Sequence, residues 1–239
     1  MIKNLSNKDR FNINKYTNLF KLNGHLKNFK FMNDGFAYLN RPIEKDIFSY
    51  QKNLYKYNIL KANLSNINNK SVLEVSCGRG GGLNILEDFK FKNIVGIDIN
   101  QNHISFCKKH INKAKVYTAS ATSLPFKNKK FDLILSIEAL FYYDTVLDFF
   151  KEAYRVLNKN GKLVLSFSYF KLPDEWENWI KESNLYLYRS YDITENVRLG
   201  CAISKWLHYS FNKEAFNSLA SDELGYMKGA KYKTFVLKK

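Results

Sequence analysis

A glycine-rich loop beside acidic residues is the part of this sequence best suited to chemistry. Residues 72–82 read VLEVSCGRGGG, a short run of β-forming residues that contains Glu74 and ends in a loop with four glycines. Leu83, Ile85 and Leu86 follow at helical spacing, which predicts a strand, a tight loop and a helix. Glycines in such a loop permit positive φ and leave the backbone amides accessible, and a helix start offers unpaired N–H groups. The loop therefore suits close approach by a small ligand.

A second acid narrows the class of ligand. Residues 93–99, NIVGIDI, form another buried-strand pattern and place Asp98 about 20 residues beyond the glycine loop. An acid at this strand end in dinucleotide-type α/β folds accepts hydrogen bonds from ribose hydroxyls. The loop departs from the dinucleotide fingerprint because its strand carries Glu74. It departs from the P-loop because Leu83 follows the glycines where a lysine would stand. This pattern favours a cationic ligand without a pyrophosphate.

These motifs resemble those of class I S-adenosylmethionine-dependent methyltransferases. The matching segments are VLEVSCGRGGG, GIDINQNHISFCKKH at 96–110, LPF at 124–126 before FD at 131–132, and SIEALFYY at 136–143. Together with NLY at 53–55 and ELGY at 223–226, they are similar to the actinobacterial phthiotriolone and phenolphthiotriolone dimycocerosate methyltransferases. The resemblance implies an α/β fold with a Rossmann-like, seven-stranded sheet and helices on both faces. It also implies S-adenosylmethionine as cofactor, S-adenosylhomocysteine as product, and O-methylation of a lipid hydroxyl.

The resemblance also implies which residues bind the cofactor. Relatives usually carry aspartate where Ser120 stands, so we expect weaker adenine recognition through the serine hydroxyl, with binding retained. Asn33 and Tyr38 would reach the methionine moiety, although their aromatic segment fits packing in the core equally well. The expected cofactor residues are Asn33, Tyr38, Glu74, Ser76, Gly78, Gly80, Asp98, Ile99, Ser120, Ala121 and Ile137.

Candidate catalytic residues follow the predicted central strand FDLILSI at 131–137. Ligands of open α/β folds bind at the carboxyl edge of the sheet, where this strand ends. Glu138, Tyr142 and Tyr143 come next and could orient the acceptor or bind its hydroxyl. Many relatives carry a histidine where Phe141 stands, so this chain has no histidine base at that position. His208 is a weaker candidate for the base.

The predicted elements form a single domain over 1–239. It comprises an N-terminal helical cap at 1–65, a cofactor-binding core at 70–170, and substrate-side helices with a closing strand at 171–239. Asp46 and Asp144 are predicted N-caps of two helices, the first reaching Ala62 and the second stopping at Asn160-Gly161. Further helices are predicted at 100–112, around Trp176, and near 192–210 and 212–223. Residues 1–30 form either a flap over the active site or an irregular terminus.

Composition places further bounds on function. A formal charge of +16 permits nucleic acid as a partner, but the scarcity of arginine favours a general lysine and asparagine bias. No apolar stretch approaches the roughly 20 residues that span a bilayer. The three cysteines show no CxxC spacing, so we expect no disulfide framework and no zinc site. His103 and His110 lack a third ligand, so we expect both to be exposed side chains and not metal ligands. Cytoplasmic localisation follows as the simplest expectation, and a homodimer stays open.

The predicted activity is in-line transfer of a methyl group to a hydroxyl of a small, largely apolar metabolite or lipid. N- or C-methylation of a small molecule is the first alternative, because the acceptor atom is not encoded in the cofactor motifs. RNA or protein methylation is a further alternative based on the positive charge. A catalytically inactive cofactor-binding protein is disfavoured by the intact Glu74, Gly78, Gly80 and Asp98.

Overall fold

The computed structural model describes residues 6–10, 13–14, 30–46, 48–211 and 229–239, with side chains described for all of these except 205–211. Within these residues, no helix combines the length and the apolar character that crossing a bilayer requires.

A seven-stranded mixed sheet with the strand order β3-β2-β1-β4-β5-β7-β6 forms the centre of the molecule. The first five strands are parallel, and β7 pairs antiparallel with both β5 and β6. This arrangement confirms the predicted α/β fold and its strand number. The strands are β1 (Ser71–Val75), β2 (Asn93–Asp98), β3 (Lys115–Thr118), β4 (Phe131–Ile137), β5 (Leu157–Tyr169), β6 (Tyr186–Asp192) and β7 (Lys231–Lys238).

Six helices are described around this sheet. They are α1 (Ser49–Lys61), α2 (Gly81–Asp88), α3 (Gln101–His110), α4 (Val146–Val156), α5 (Trp176–Glu182) and α6 (Thr194–Phe211), and two short 3₁₀ turns lie at Ile67–Asn69 and Leu140–Tyr142. The helix predicted at 212–223 lies outside the described residues.

Neither predicted N-cap aspartate caps its helix. Asp46 lies in a turn before α1, where its carboxylate accepts the N–H of Phe48 at 3.0 Å. Thr145 is the residue that precedes α4, and the carboxylate of Asp144 accepts the Ser6 hydroxyl at 2.6 Å. The same helix ends earlier than predicted, since β5 begins at Leu157 and continues past Asn160-Gly161 after a register shift.

Alternating side chains of the sheet build two apolar layers, one on each face. Leu73 of β1 points into a layer that includes Phe149 of α4 and Trp176 of α5. Val72, its neighbour, points into the opposite layer with Leu54 of α1 and other side chains of α2 and α3. Because strands β1 and β4 are adjacent while the chain leaves them in opposite directions, their carboxyl ends open a crevice between the loops.

Candidate active site

The glycine loop between β1 and α2 folds sharply back on the sheet. Ser76, Gly78 and Gly80 all have positive φ, and the N–H of Gly80 donates to the carbonyl of Cys77 at 2.9 Å. The φ of 82° at Gly80 favours glycine, and a Cβ atom there would also displace the end of the Ile111 side chain, 2.8 Å away at Cδ1. The loop thus presents bare backbone at the carboxyl edge of the sheet.

Asp98, at the end of β2, fixes this loop and faces the same crevice. One carboxylate oxygen accepts the N–H of Gly78 at 2.9 Å, and the other accepts the N–H of Asn100 at 2.8 Å. A carboxylate offers about four acceptor positions, so Asp98 retains capacity for ligand hydroxyls. Nδ1 of His103 lies 3.5 Å from Asp98.

The burial of His103 corrects one expectation. We expected both histidines of α3 to be exposed, but only 5% of His103 is accessible because it faces Asp98 from the first turn of the helix. His110 is exposed, as expected, and stacks on Phe106. No group of three potential metal ligands occurs in the part of the chain that the structure describes.

Glu74 lies in the middle of β1, directly behind the loop. Only 1% of the residue is exposed, and neither carboxylate oxygen has a hydrogen-bond partner in satisfactory geometry. Burial raises the pKa of this carboxyl to about 8, with a further increase from Asp98, while the neighbouring Tyr55 hydroxyl acts to lower it. Glu74 is therefore predominantly protonated at neutral pH.

Glu138 follows β4 with a φ of 55°, a left-handed conformation that turns its side chain into the crevice. Its carboxylate accepts the N–H of Asp34 at 3.1 Å and the hydroxyl of Tyr232 at 2.6 Å. Glu138 thereby links β4 to the segment before α1 and to β7. Because its carboxylate accepts hydrogen bonds from both of these parts of the chain, Glu138 stabilises the walls of the crevice.

The two predicted tyrosines behave differently. Tyr143 is buried, lies 2.8 Å from the hydroxyl of Ser136 and accepts the hydroxyl of Ser76 at 3.3 Å. Burial raises the pKa of Tyr143 above its ordinary value, so its phenol stays neutral. Tyr142 is 41% exposed and also lines the crevice. Both phenols can donate hydrogen bonds.

The described part of the N-terminal segment lies across the crevice. Ser6 and Asp9 form a reciprocal capping box, in which each side chain accepts the backbone N–H of the other at 3.0 and 3.3 Å. Lys8 donates to the carbonyl of Tyr143 at 2.5 Å on one side. The carbonyl of Ile13 accepts the Asn100 side chain at 3.4 Å on the other side. These contacts agree with the flap alternative for residues 6–10 and 13–14.

A pair of carboxylates results from this contact and was missed by sequence reasoning. Asp9 and Asp144 both line the crevice, and Ser6 hydrogen bonds to both of them. Burial raises the pKa of Asp9, and the negative charge of Asp144 raises it further. The SNKD pattern at 6–9 is a signal for a helix start, but the sequence holds no signal for its proximity to Asp144.

The crevice brings together most of the expected cofactor residues. Glu74 and Gly80 lie behind its wall, and Tyr38 packs edge-on against Phe36 with the Arg41 guanidinium over its ring, as the core alternative expects. Ser120 remains close to Thr122, with 3.0 Å between their hydroxyls. Those that line the crevice are Asn33, Ser76, Gly78, Asp98, Ile99, Ser120, Ala121 and Ile137. The side chain of His208 lies outside the described residues.

The charge of the crevice is opposite to that of the chain. Among the described lining residues, the carboxylates outnumber the cations, although the chain as a whole carries +16. The cations are Lys30 and Arg79, whose guanidinium lies over the ring of Phe106. The carboxylates are Asp9, Asp98, Glu138 and Asp144. Such a lining, with Glu74 buried behind it, fits a small cationic ligand such as S-adenosylmethionine.

A second groove adjoins the crevice, and the charged side chains of Lys8 and Asp148 line it beside its apolar ones. Tyr143 and Asp144 belong to both cavities, so the two meet at these residues. Phe141, which replaces the histidine of many relatives, is 39% exposed and packs edge-on against Phe167 at the base of this groove. Further apolar surface comes from Val146, Leu147 and Trp179.

Comparisons with known proteins agree with this geometry. Residues 73–165 match the model of the methyltransferase domain family. A fatty-acid O-methyltransferase of Mycolicibacterium smegmatis is 31% identical over 166 residues, which cover 64% of this chain and 60% of that protein. A phthiotriol/phenolphthiotriol dimycocerosates methyltransferase of Mycobacterium leprae is 32% identical over 154 residues, covering 63% and 56%. The matches thus span a little over half of each relative.

Solved structures share the fold over nearly the whole chain. The [4+2]-cyclase SpnF has a TM-score of 0.77 at 14% identity, with 98% of this chain and 97% of that chain covered. Geranyl diphosphate C-methyltransferase from Streptomyces coelicolor A3(2) has a TM-score of 0.71 at 14% identity, with 99% of each chain covered. At this identity the structures support the fold, and the domain match supports the family. Residues 73–165 therefore carry a methyltransferase domain, within a fold that methyltransferases of known structure share.

Proposed function

We propose that the chain transfers a methyl group from S-adenosylmethionine to a hydroxyl of a small, largely apolar metabolite or lipid, by in-line displacement. The observation that carries this proposal is the acidic crevice, in which the loop around Gly78 and the Asp98 carboxylate meet at the ends of β1 and β2. S-adenosylmethionine supplies an already activated methyl group, so the protein must chiefly align and desolvate the acceptor.

Residues of the crevice divide naturally among the parts of the cofactor. Asp98 has acceptor capacity left for ribose hydroxyls, and the loop at Gly78 leaves its backbone open. We assign the adenine to the Ser120 hydroxyl and the backbone at Ala121, which both line the crevice. We assign the cationic methionine end of the cofactor to Asn33 and to the carboxylates that line the crevice.

The adjoining groove supports an apolar acceptor. It joins the crevice at Tyr143 and Asp144, and its apolar surface includes Phe141 and Trp179. An aliphatic chain lying there would place its polar end at the junction of the two cavities. The names of the relatives, a fatty-acid O-methyltransferase and a phthiotriol dimycocerosates methyltransferase, support the same acceptor class.

Asp9 and Asp144 are our proposed proton acceptors for the hydroxyl. A base acts best when its pKa lies near the working pH, and burial together with the neighbouring charge raises the pKa of Asp9 in that direction. Tyr143 is unsuited because burial raises the pKa of its phenol. Glu138 is less suited because its carboxylate already accepts hydrogen bonds from Asp34 and Tyr232.

Calorimetric titration tests the cofactor first. The native chain should bind S-adenosylmethionine and S-adenosylhomocysteine saturably, and Asp98→Ala should lose most of that affinity. Asp132→Asn is the matched control, because Asp132 bonds Ser71 at the start of β1, at the opposite edge of the sheet. A folded native chain that binds neither compound would overturn the proposal.

Labelled methyl transfer then tests the acceptor. A long-chain alcohol, the matching fatty acid and the matching amine differ only in the polar end, and we expect transfer to the alcohol. Exclusive transfer to the carboxylate of the fatty acid would still support binding of the aliphatic chain in the groove, but such an acceptor needs no base. Exclusive transfer to the amine would support the N-methylation alternative.

A further inference from the structure

The carboxyl of Glu74 is buried behind the glycine loop, beside the Tyr55 hydroxyl. It lies on the central strand β1, between Gly96 of β2 and Leu135 of β4. A Cβ atom added at Gly82 would lie 2.3 Å from its Oε1, so the carboxyl sits tightly under the start of α2. Neither of its oxygens has a hydrogen-bond partner, and the residue is 1% exposed.

The groups around Glu74 do not compensate a negative charge. The neighbours of Glu74 are Tyr55 of α1, Asp98 at the end of β2 and Cys77 of the loop. Glu138, after the end of β4, interacts electrostatically with Tyr55. These groups are neutral or negative at neutral pH. An ionised carboxylate buried without a cation is strongly unfavourable, so the proton-bearing form is preferred in the free protein. A cation placed in the adjoining crevice reverses that preference.

We infer that Glu74 carries a proton in the free chain and gives it up when a cationic donor occupies the crevice, so that it distinguishes the methyl donor from its product by charge. This inference rests on the proposed function, because the cation it requires is the sulfonium of S-adenosylmethionine. Tyr55, Val75 and Ser76 are neighbours of Glu74 that line the crevice, whereas Glu74 itself does not line it. The effect is therefore electrostatic, acting through a thin layer of protein.

The charges balance over a turnover. Binding of the donor brings one sulfonium charge, and one proton leaves Glu74. During transfer the S–CH₃ bond breaks, the O–CH₃ bond forms, and the hydroxyl proton leaves the acceptor. The thioether that remains is uncharged, so Glu74 takes up a proton again. The ionised form of Glu74 thus favours binding of S-adenosylmethionine, whereas the protonated form is compatible with bound S-adenosylhomocysteine.

Calorimetry at neutral pH in buffers of different ionisation enthalpy measures the protons released on binding. The native chain should release close to one proton per bound S-adenosylmethionine and clearly less with S-adenosylhomocysteine. Glu74→Gln should release none and lose preference for the donor, whereas Asp132→Asn should behave like the native chain. Donor binding by the native chain without proton release, or equal release by Glu74→Gln, would overturn the inference.

A second measurement covers the case in which Glu74→Gln fails to fold. Infrared difference spectra of the native chain should show loss of a protonated-carboxyl band when the donor binds, and a smaller loss with the product. An unchanged band with saturated donor would contradict the inference. Absence of any donor binding contradicts the proposed function instead, so the two failures are distinguishable.

Discussion

The carboxylate of Asp98 accepts the backbone N–H of Gly78 at 2.9 Å, and this bond joins the ends of β1 and β2. A single side chain thereby sets the shape of the glycine loop and faces the expected ribose position. The backbone N–H groups use only part of the acceptor capacity of this carboxylate, so Asp98 can hold the loop and accept hydrogen bonds from the ribose hydroxyls at the same time.

Replacing Asp98 with asparagine tests how much the negative charge of this side chain contributes to cofactor affinity. The amide removes the negative charge and half of the acceptor positions, although the side chain keeps its size. Charge-assisted hydrogen bonds contribute about 1.5–3 kcal/mol, so affinity for S-adenosylmethionine should fall roughly 10-fold to 100-fold. Calorimetric titration measures this loss, and Asp132→Asn serves as control. Unchanged affinity would show that Asp98 does not contact the cofactor.

Gly82→Ala should destabilise the fold through steric overlap. The new Cβ would lie 2.2 Å from Cε1 of Tyr55 and 2.3 Å from Oε1 of Glu74. Overpacking of a tight interior costs about 1–3 kcal/mol, and urea unfolding should show a loss at least of this size. Asn84→Ala lies on the same helix and is half-buried, and it should have a much smaller effect. Equal stability of the two variants would contradict the packing argument.

The stability of the free chain should fall as pH rises from about 4.5 to about 8. In this range folded Glu74 retains its proton, since its pKa is about 8, while the unfolded chain has released it, since the ordinary pKa of a glutamate is 4.5. The folded state then binds more protons, so the free energy of unfolding decreases with pH, by at most ~1.4 kcal/mol per pH unit from this group. Urea titrations at several pH values measure the slope.

Glu74→Gln provides the comparison for this pH dependence. The variant lacks the titrating group and should show a shallower fall across the same range. If the two chains lose stability in parallel, other groups are responsible and Glu74 is ionised in the folded state.

Ser6→Ala should release the N-terminal segment without unfolding the domain. The change removes the hydroxyl that accepts the N–H of Asp9 and donates to Asp144, and leaves only the bond from the N–H of residue 6 to Asp9. Loss of such a cap costs about 1 kcal/mol, which acts on this segment alone. Hydrogen exchange should accelerate at residues 8–10, while the thermal unfolding midpoint stays nearly constant. Asn7→Ala, at an exposed neighbouring position, should leave the exchange unchanged.

Asp144→Asn should slow methyl transfer while cofactor binding persists. If the pair with Asp9 accepts the hydroxyl proton, kcat should fall, and the rise of kcat with pH should move towards lower pH. The direction follows because the charge of Asp144 raises the pKa of Asp9, and the amide removes that charge. Asp174→Asn, which is highly exposed and pairs with Lys171, is the control. A pH profile that does not move would remove the pair from the mechanism.

Local patterns determined the elements that carry the cofactor site. A near-continuous apolar run predicted the bounds of strand β4, and glycines next to an apolar helical face predicted the strand, loop and helix around Glu74. Asp98 could be assigned because its position depends only on one helix and one strand. Each of these features is encoded within a few tens of residues.

Only the tertiary structure decided which distant residues meet. The contacts between Ser6 and Asp144 and between Glu138 and Tyr232 join residues far apart in the chain, so no spacing rule could predict them. The burial of His103 likewise depends on how α3 packs against the loop. Periodicity specifies which face of an element is apolar, whereas the order of strands in the sheet determines which polar groups converge at its edge.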